Sequence, residues 1–183
     1  MVKNNYKKDT KNILLGKRKK ISNSFVNSPI YRGSTVLFDN VEEMQTKIKK
    51  KNTQTLFYGR FGNPATFEFE AAIADIDEAH SAVATSSGTA AIVASLLAVL
   101  KTGDHILMTD SAYGVSRNLT KGLLKNMGIT TTFYQPNIGS NIQDLITTKT
   151  KLIFMESPGS LTFEMQNIPQ LIEIAKKHKL ITI

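Results

Sequence analysis

Beyond Pro64, apolar residues fall in short segments that alternate between helical spacing and the continuous runs of a buried strand. Gly, Pro and Asn separate many of these segments, as is typical of turns. Helices are predicted over residues 69–79, 92–100, 115–127, 141–146 and 168–179. Strands are predicted over residues 82–84, 105–109, 129–134, 151–155 and 180–183. Because strand and helix alternate, the sequence predicts an α/β fold whose mostly parallel sheet is covered on both faces.

Three predicted helices have apolar patterns that indicate how they pack. The inward face of the first is formed by Phe69, Ala72, Ile73, Ile76 and Ala79. The helix over 92–100 is apolar all round, so we expect it to be buried on several sides. In the last helix, we expect Leu171, Ile172 and Ala175 to point inward.

The segment before Pro64 is less regular. Residues 1–24 show no sustained period and are predicted to form an arm, and residues 35–38 are predicted to be extended. Asp39 and Asn40 form a turn or helix cap before a short amphipathic helix over 41–51. Residues 52–63 combine aromatic side chains with Gly, which is typical of a loop that contacts a partner or a ligand.

The positive charge is concentrated at the start of the chain. The net charge is +8, and the first 20 residues hold eight basic residues and one acidic residue, Asp9. The remainder is nearly neutral, unlike a nucleic-acid-binding surface, so we interpret the basic stretch as a solvated arm. A nucleic-acid-binding tail is the least favoured alternative, and it predicts strongly salt-dependent binding.

Composition argues against several kinds of site. The chain has no Cys, which removes thiolate catalysis and disulfides and is typical of a cytoplasmic protein. His80, His105 and His178 lie far apart, so we expect surface or interface histidines and no metal site. No apolar run is long enough to cross a bilayer, and no apolar core follows the first lysines, so neither a membrane segment nor a secretory signal is predicted.

A candidate phosphate site lies at residues 86–91, Ser-Ser-Gly-Thr-Ala-Ala, between the predicted strand 82–84 and helix 92–100. The first N–H groups of a helix have no intrahelical acceptor, and the positive end of the helix dipole favours an anion there. The alternative is an ordinary N-cap without a ligand, because Ser, Thr and Gly are common at helix starts.

Function in a parallel sheet is expected in loops beyond the carboxyl ends of its strands. Three loops qualify, at residues 86–89, 109–114 and 156–162. Tyr113 in the second loop is a candidate for stacking on a flat ligand, with plain packing as the alternative. Glu156 in the third is a candidate for orienting a polar group, with a loop ion pair as the alternative.

Taken together, these stretches resemble the Cys/Met-metabolism family of pyridoxal 5′-phosphate (PLP) enzymes. The matching stretches are Tyr58-Gly-Arg60-Phe-Gly-Asn-Pro64, Ser86-Ser-Gly88-Thr-Ala-Ala91, Gly103-Asp104-His105 followed by Tyr113, and Glu156-Ser-Pro158. Their order and spacing agree with the family over nearly the whole chain. The resemblance implies a fold-type I PLP-dependent transferase-like fold, of which this chain holds an N-terminal arm and the first part of the sheet.

The resemblance also implies roles for individual residues. Gly88 and Thr89 would give backbone N–H groups to the cofactor phosphate. Tyr113 would stack on the pyridine ring and act in proton transfer near the substrate. Tyr58 and Arg60 would reach the phosphate of a cofactor in a neighbouring subunit of a homotetramer. The implied organisation is an arm and oligomer-contact segment at residues 1–62 and an incomplete PLP-binding α/β domain at residues 63–183.

Within the family, the stretch Glu156-Ser-Pro-Gly-Ser-Leu-Thr162 is most similar to bacterial cystathionine β-lyases. That resemblance implies β-elimination of cystathionine to homocysteine, pyruvate and ammonia, in methionine biosynthesis. Many γ-enzymes have an Asn where Gly159 and Ser160 stand. A cystathionine γ-synthase, a γ-lyase and a methionine γ-lyase remain the alternatives within the family.

Other residues that the resemblance implies for this chemistry have no counterpart here. In the family, an Asp for the pyridine nitrogen, the Schiff-base Lys and an Arg for the substrate carboxylate follow the strand that ends at Ile183. We therefore expect that the 183-residue chain is inactive alone. A non-catalytic remnant of a truncated or split gene is the alternative from a different functional class.

Overall fold

The computed structural model describes residues 6–15, 25–50 and 54–183. The chain divides into two compact units, Met1–Ala84 and Thr85–Ile183. Within the described ranges, no helix is both long enough and apolar enough to cross a membrane.

The described residues of the first unit include a 3₁₀ segment at Gly59–Phe61 and three α-helices. The α-helices are α1 (Lys8–Leu14), α2 (Val41–Lys49) and α3 (Pro64–Ile76). The predicted cap of α2 is confirmed, because the Asn40 side chain accepts the N–H of Glu43. Asn63 caps α3 in the same way, and Pro64 occupies the first turn, where its missing N–H costs nothing. Helix α1 lies inside the predicted arm, of which residues 1–5 and 16–24 are outside the described residues.

The predicted inward face of α3 is wrong. Phe69 is 59% exposed and Ile76 is 50% exposed, whereas Glu68 and Glu70 are buried on the other side of the helix. Each buried carboxylate has a hydrogen-bond donor: Glu68 accepts from the Ser28 hydroxyl, and Glu70 accepts from the N–H of Ala84. One oxygen of each carboxylate is thus hydrogen-bonded, while Glu68 Oε1 is buried without a partner among the described residues.

Two of the predicted extended segments do not join a sheet. Residues 35–38 and 82–84 have no strand partner among the described residues. In the second segment, the N–H of Ala84 donates to the side chain of Glu70 at 2.9 Å, which takes the place of a strand neighbour.

The second unit contains a four-stranded sheet in the order β2-β1-β3-β4. Its strands are β1 (His105–Thr109), β2 (Thr130–Tyr134), β3 (Thr150–Phe154) and β4 (Ile181–Thr182). All neighbouring strands are parallel, as the alternation of segments predicts. The loops that follow β1 and β3 are therefore at the same edge of the sheet.

Helices cover both faces of this sheet, as predicted. The helices are α4 (Gly88–Val99), α5 (Gly114–Leu119) with a π-helical continuation at Thr120–Leu124, and α6 (Ile168–Lys177), and a 3₁₀ segment spans Gly139–Leu145. Successive residues of β1 point to opposite faces. Ile106 and Met108 belong to the core that contains Leu96 of α4, and Leu107 belongs to the core that contains Leu171 of α6.

Two packing predictions for these helices need correction. Helix α4 buries Leu96 alone, while residues 94, 95, 97 and 98 are exposed, so it is not covered on several sides. An apolar composition does not show how many neighbours a helix has. In α6, Leu171 and Ala175 are buried as predicted, but Ile174 is buried where Ile172 was expected.

His105 is another correction, because it is buried rather than at the surface. Its ring nitrogens lie 2.8 Å from Thr150 Oγ1 and 2.9 Å from Thr132 Oγ1, so the ring joins the starts of β1 and β3 to the middle of β2. Burial lowers the pKa of His105, because the charged imidazolium is poorly solvated there. We assign this histidine a structural role.

Candidate active site at the carboxyl edge of the sheet

A direct hydrogen bond joins the loops that follow β1 and β3. The N–H of Tyr113 donates to Glu156 Oε2 at 3.0 Å. The Tyr113 side chain itself is 51% exposed, so plain packing does not account for it. Glu156 takes no part in the ion pairs of the described residues, and its carboxylate instead orients the backbone at Tyr113.

A second contact between these loops explains Gly159. The N–H of Ser160 donates to the carbonyl oxygen of Ser111 at 2.7 Å, which brings the backbone at Gly159 against Ser111. A Cβ at Gly159 would lie 2.6 Å from both Cβ and Oγ of Ser111. The Ser111 hydroxyl is held by Thr109 Oγ1 at 2.9 Å, so it does not move freely out of the way.

Replacement of Gly159 by Ala is expected to destabilise the protein by about 1–3 kcal/mol, the usual cost of overpacking. Thermal or denaturant unfolding of the variant measures this cost. The double variant Ser111→Gly, Gly159→Ala removes the obstructing side chain and should recover most of the loss. If it recovered nothing, the close contact with Ser111 would not be the reason for Gly159.

A cleft of about 390 Å³ opens between the two loops. Its lining residues are Asp110, Ser111, Ala112, Gly114, Arg117, Ser160, Leu161, Thr162 and Glu164. Both signs of charge are present, since Arg117 faces the same space as Asp110 and Glu164. Arg117 Nε is buried without an acceptor in the described structure, and the guanidinium lies 5.6 Å from the Phe133 ring centroid.

Sequence reasoning did not identify Arg117. The available signal was its position four residues after Tyr113, on the first turn of a predicted helix. Residues with that spacing share one side of a helix, so an Arg there remains close to the loop that precedes the helix.

The start of α4 has the geometry of an anion site. The Ser87 side chain accepts the N–H of Ala90 at 3.1 Å, and the first intrahelical bond runs from Ala91 to the carbonyl of Ser87. The N–H groups of Gly88 and Thr89 come before any intrahelical acceptor. A Cβ placed at Gly88 would meet no atom within 4 Å, so there is open space for a phosphate at this position. The ordinary N-cap and the phosphate site are therefore compatible.

In the first unit, Gly59 and Gly62 fix the backbone conformation around Tyr58 and Arg60. A Cβ at Gly59 would lie 2.4 Å from the carbonyl oxygen of Gly33, and Gly62 has a φ of +124°, which favours glycine. This conformation places the Arg60 guanidinium 5.6 Å from the Tyr58 ring and 5.0 Å from the Phe61 ring. Arg60 is exposed and forms none of the ion pairs of the described residues, so its charge is available to an anion.

The structure therefore brings some of the predicted site residues together. Tyr113 and Glu156 are hydrogen-bonded, and α4, which starts at Gly88 and Thr89, contacts α5, which starts directly after Tyr113. Tyr58 and Arg60 belong to the first unit and contact each other there.

These features define a class of protein: a parallel α/β domain with an exposed aromatic residue at the carboxyl edge of its sheet and a helix start suited to a phosphate. The sequence model of the Cys/Met metabolism PLP-dependent enzymes matches residues 9–183. The chain belongs to this family, whose cofactor is PLP. The open space at Gly88 and its free N–H groups fit the phosphate of that cofactor.

Individual relatives agree with this family. The chain is 36% identical over 166 residues to the cystathionine beta-lyase of Escherichia coli (strain K12), covering 91% of this chain and 42% of that protein. It is 33% identical over 167 residues to an L-alanine/L-glutamate racemase of Wolbachia pipientis, covering 86% and 41%. The chain thus spans less than half the length of either relative.

The fold is shared with a solved Campylobacter jejuni structure, which has a TM-score of 0.87 and 24% sequence identity. The similarity covers 97% of this chain and 44% of that protein. The C. jejuni structure carries N′-pyridoxyl-lysine-5′-monophosphate at its position 205. The fold comparison confirms the predicted fold-type I architecture.

Proposed function

We propose that this chain forms the PLP-phosphate and ring-binding part of a carbon–sulfur lyase that acts on cystathionine by β-elimination. The observation that carries the proposal is the carboxyl-edge arrangement, in which Glu156 holds an exposed Tyr113. The similarity to a cystathionine beta-lyase supports the reaction type.

In this proposal, the backbone N–H groups of Gly88 and Thr89 bind the cofactor phosphate, and Tyr113 stacks on the pyridine ring. The bound cofactor would supply an electron sink for negative charge at the substrate Cα. The Tyr113 hydroxyl would hold or move a proton near that carbon. The cleft beside Tyr113 offers both a guanidinium and carboxylates, which suits an amino-acid substrate with groups of both charges.

We further propose that residues 1–62 contact neighbouring subunits in a homotetramer. The exposed guanidinium of Arg60, with Tyr58 beside it, would bind the phosphate of a cofactor held by another subunit. The Schiff-base Lys would come from sequence outside these 183 residues, either in the same polypeptide or in a second one.

Product analysis tests this proposal. The 183-residue chain is fused to the remaining C-terminal portion of the E. coli relative, loaded with PLP and incubated with cystathionine. We expect pyruvate and homocysteine, the products of β-elimination. Formation of 2-oxobutyrate would instead indicate a γ-lyase, and a fusion that binds PLP but releases neither oxo acid would contradict lyase function. The same fusion with Tyr113→Ala controls for activity from the E. coli portion.

A further inference from the structure

Gln166 lies at the junction of three elements of the second unit. It is only 7% exposed and directly precedes Asn167, the cap of α6. Its backbone N–H donates to Ser157 Oγ at 2.9 Å, and its side-chain Nε2 donates to the carbonyl oxygen of Glu156 at 2.8 Å. Both acceptors belong to the loop that carries Glu156.

The other end of the Gln166 amide is held by Tyr134. The Tyr134 hydroxyl lies 2.9 Å from Gln166 Oε1 and 3.1 Å from the carbonyl oxygen of Phe154. Tyr134 is buried at the end of β2, and burial raises the pKa of its phenol, so the hydroxyl remains protonated. The carbonyl oxygen of Glu156 can only accept, so Gln166 Nε2 faces it and Oε1 faces the Tyr134 hydroxyl.

Glu156 depends on this support for its position. Glu156 is only half-buried and forms none of the ion pairs of the described residues. Its backbone carbonyl accepts from Gln166, and its carboxylate accepts from the Tyr113 N–H. Tyr134 bonds Gln166, Gln166 bonds the backbone carbonyl of Glu156, and the Glu156 carboxylate accepts from the Tyr113 N–H, so the side chain of Glu156 completes the link covalently. The ends of β2 and β3 and the start of α5 are joined in this way.

We infer that Gln166 is a positioning residue for Tyr113, acting through Glu156. The effect on cofactor binding rests on the proposed function, because it requires that Tyr113 contact the cofactor. The effect of Gln166 on the position of Tyr113 does not depend on the proposed function. The bonds at Tyr134 are buried, and a link anchored in the core in this way favours one arrangement of the loop that carries Glu156.

The test uses the full chain, at 20.2 kDa small enough for amide NMR. In Gln166→Met, a substitution of similar length that removes both side-chain hydrogen bonds, the Tyr113 amide should shift and exchange its hydrogen faster. The binding probe is pyridoxamine 5′-phosphate, which has the ring and phosphate but no aldehyde to react with the 19 Lys residues. Its affinity for Gln166→Met should be about fivefold weaker than for wild type, or roughly 1 kcal/mol.

Two further variants keep the test decisive. Tyr134→Phe, a milder change, should shift the Tyr113 amide in the same direction but less, and adding it to Gln166→Met should add little, because Tyr134 acts through Gln166. Gln143→Met is the matched control, since Gln143 is exposed and makes a single side-chain bond to Ser140.

The outcomes separate the inference from the proposed function. A Gln166→Met protein that melts at a lower temperature but keeps the Tyr113 amide shift, its exchange rate and the ligand affinity would overturn the positioning role. A wild-type chain that fails to bind pyridoxamine 5′-phosphate, while Gln166→Met still shifts the Tyr113 amide, would contradict the proposed function and leave the positioning role intact.

Discussion

Replacing Gly88 with Asp should abolish phosphate binding without unfolding the protein. The new Cβ meets no atom of the chain within 4 Å, so the fold accommodates it. A carboxylate in the first turn of α4 interacts favourably with the helix dipole, by about 0.5 kcal/mol. The same charge would occupy the space proposed for the phosphate and repel it. We expect the affinity for pyridoxamine 5′-phosphate to fall at least about 100-fold, or roughly 2.8 kcal/mol.

The matched control is Ala94→Asp, which adds the same charge at an exposed position of α4. Six residues along a helix correspond to about 9 Å, beyond direct contact with a phosphate at the helix start. This variant should bind the probe normally. Normal binding by Gly88→Asp would show that the phosphate lies elsewhere, and its unfolding would show that the space at Gly88 is needed by the fold.

Tyr113→Ala should have the second largest effect, a loss of about 10- to 100-fold in affinity for pyridoxamine 5′-phosphate, the range expected for removing one aromatic stacking partner. The Tyr113 side chain is half exposed. The hydrogen bond to Glu156 is made by the backbone N–H, which Ala retains. The melting temperature should therefore change little while binding is lost. Equilibrium dialysis and thermal unfolding measure the two quantities separately.

Tyr113→Phe divides the role of the ring from that of the hydroxyl. It should bind the probe nearly as well as wild type, while the fused enzyme should turn over more slowly if the hydroxyl holds a proton in the reaction. Tyr6→Ala, which removes another exposed tyrosine, is the control and should alter neither quantity. Unchanged probe binding in Tyr113→Ala would exclude this ring from the cofactor site.

Local sequence patterns were sufficient for most of the second unit. Strands β1, β2 and β3 were predicted within a residue or two, because each is a short apolar or β-branched run bounded by turn residues. The helix predicted over 115–127 stops before Gly128, because glycine is common just after a helix end. In the structure Gly128 has a φ of +77°, which glycine adopts readily. Parallel pairing followed from the alternation of strand and helix.

The pattern failed where burial depends on distant partners. Spacing in α3 marks an apolar stripe at Phe69 and Ile76, yet the face that packs carries two glutamates, each with its own donor. In α4, the sequence is apolar on every side, but only the line through Leu96 meets the sheet. Periodicity shows which residues share one face of a helix. It does not show which part of the protein packs against that face.

The sequence by itself determined most elements of the second unit, the parallel order of its sheet and the motifs that indicate a PLP enzyme, because these depend on neighbouring residues and on short spacings. Only the tertiary structure decided how the candidate site is held together. The bond between Tyr113 and Glu156 joins residues 43 positions apart, and Gly159 is required by Ser111 in a different loop. Gln166 gave no sequence signal at all, because its role arises from hydrogen bonds that exist only after β2, β3 and the loop before α6 have come together.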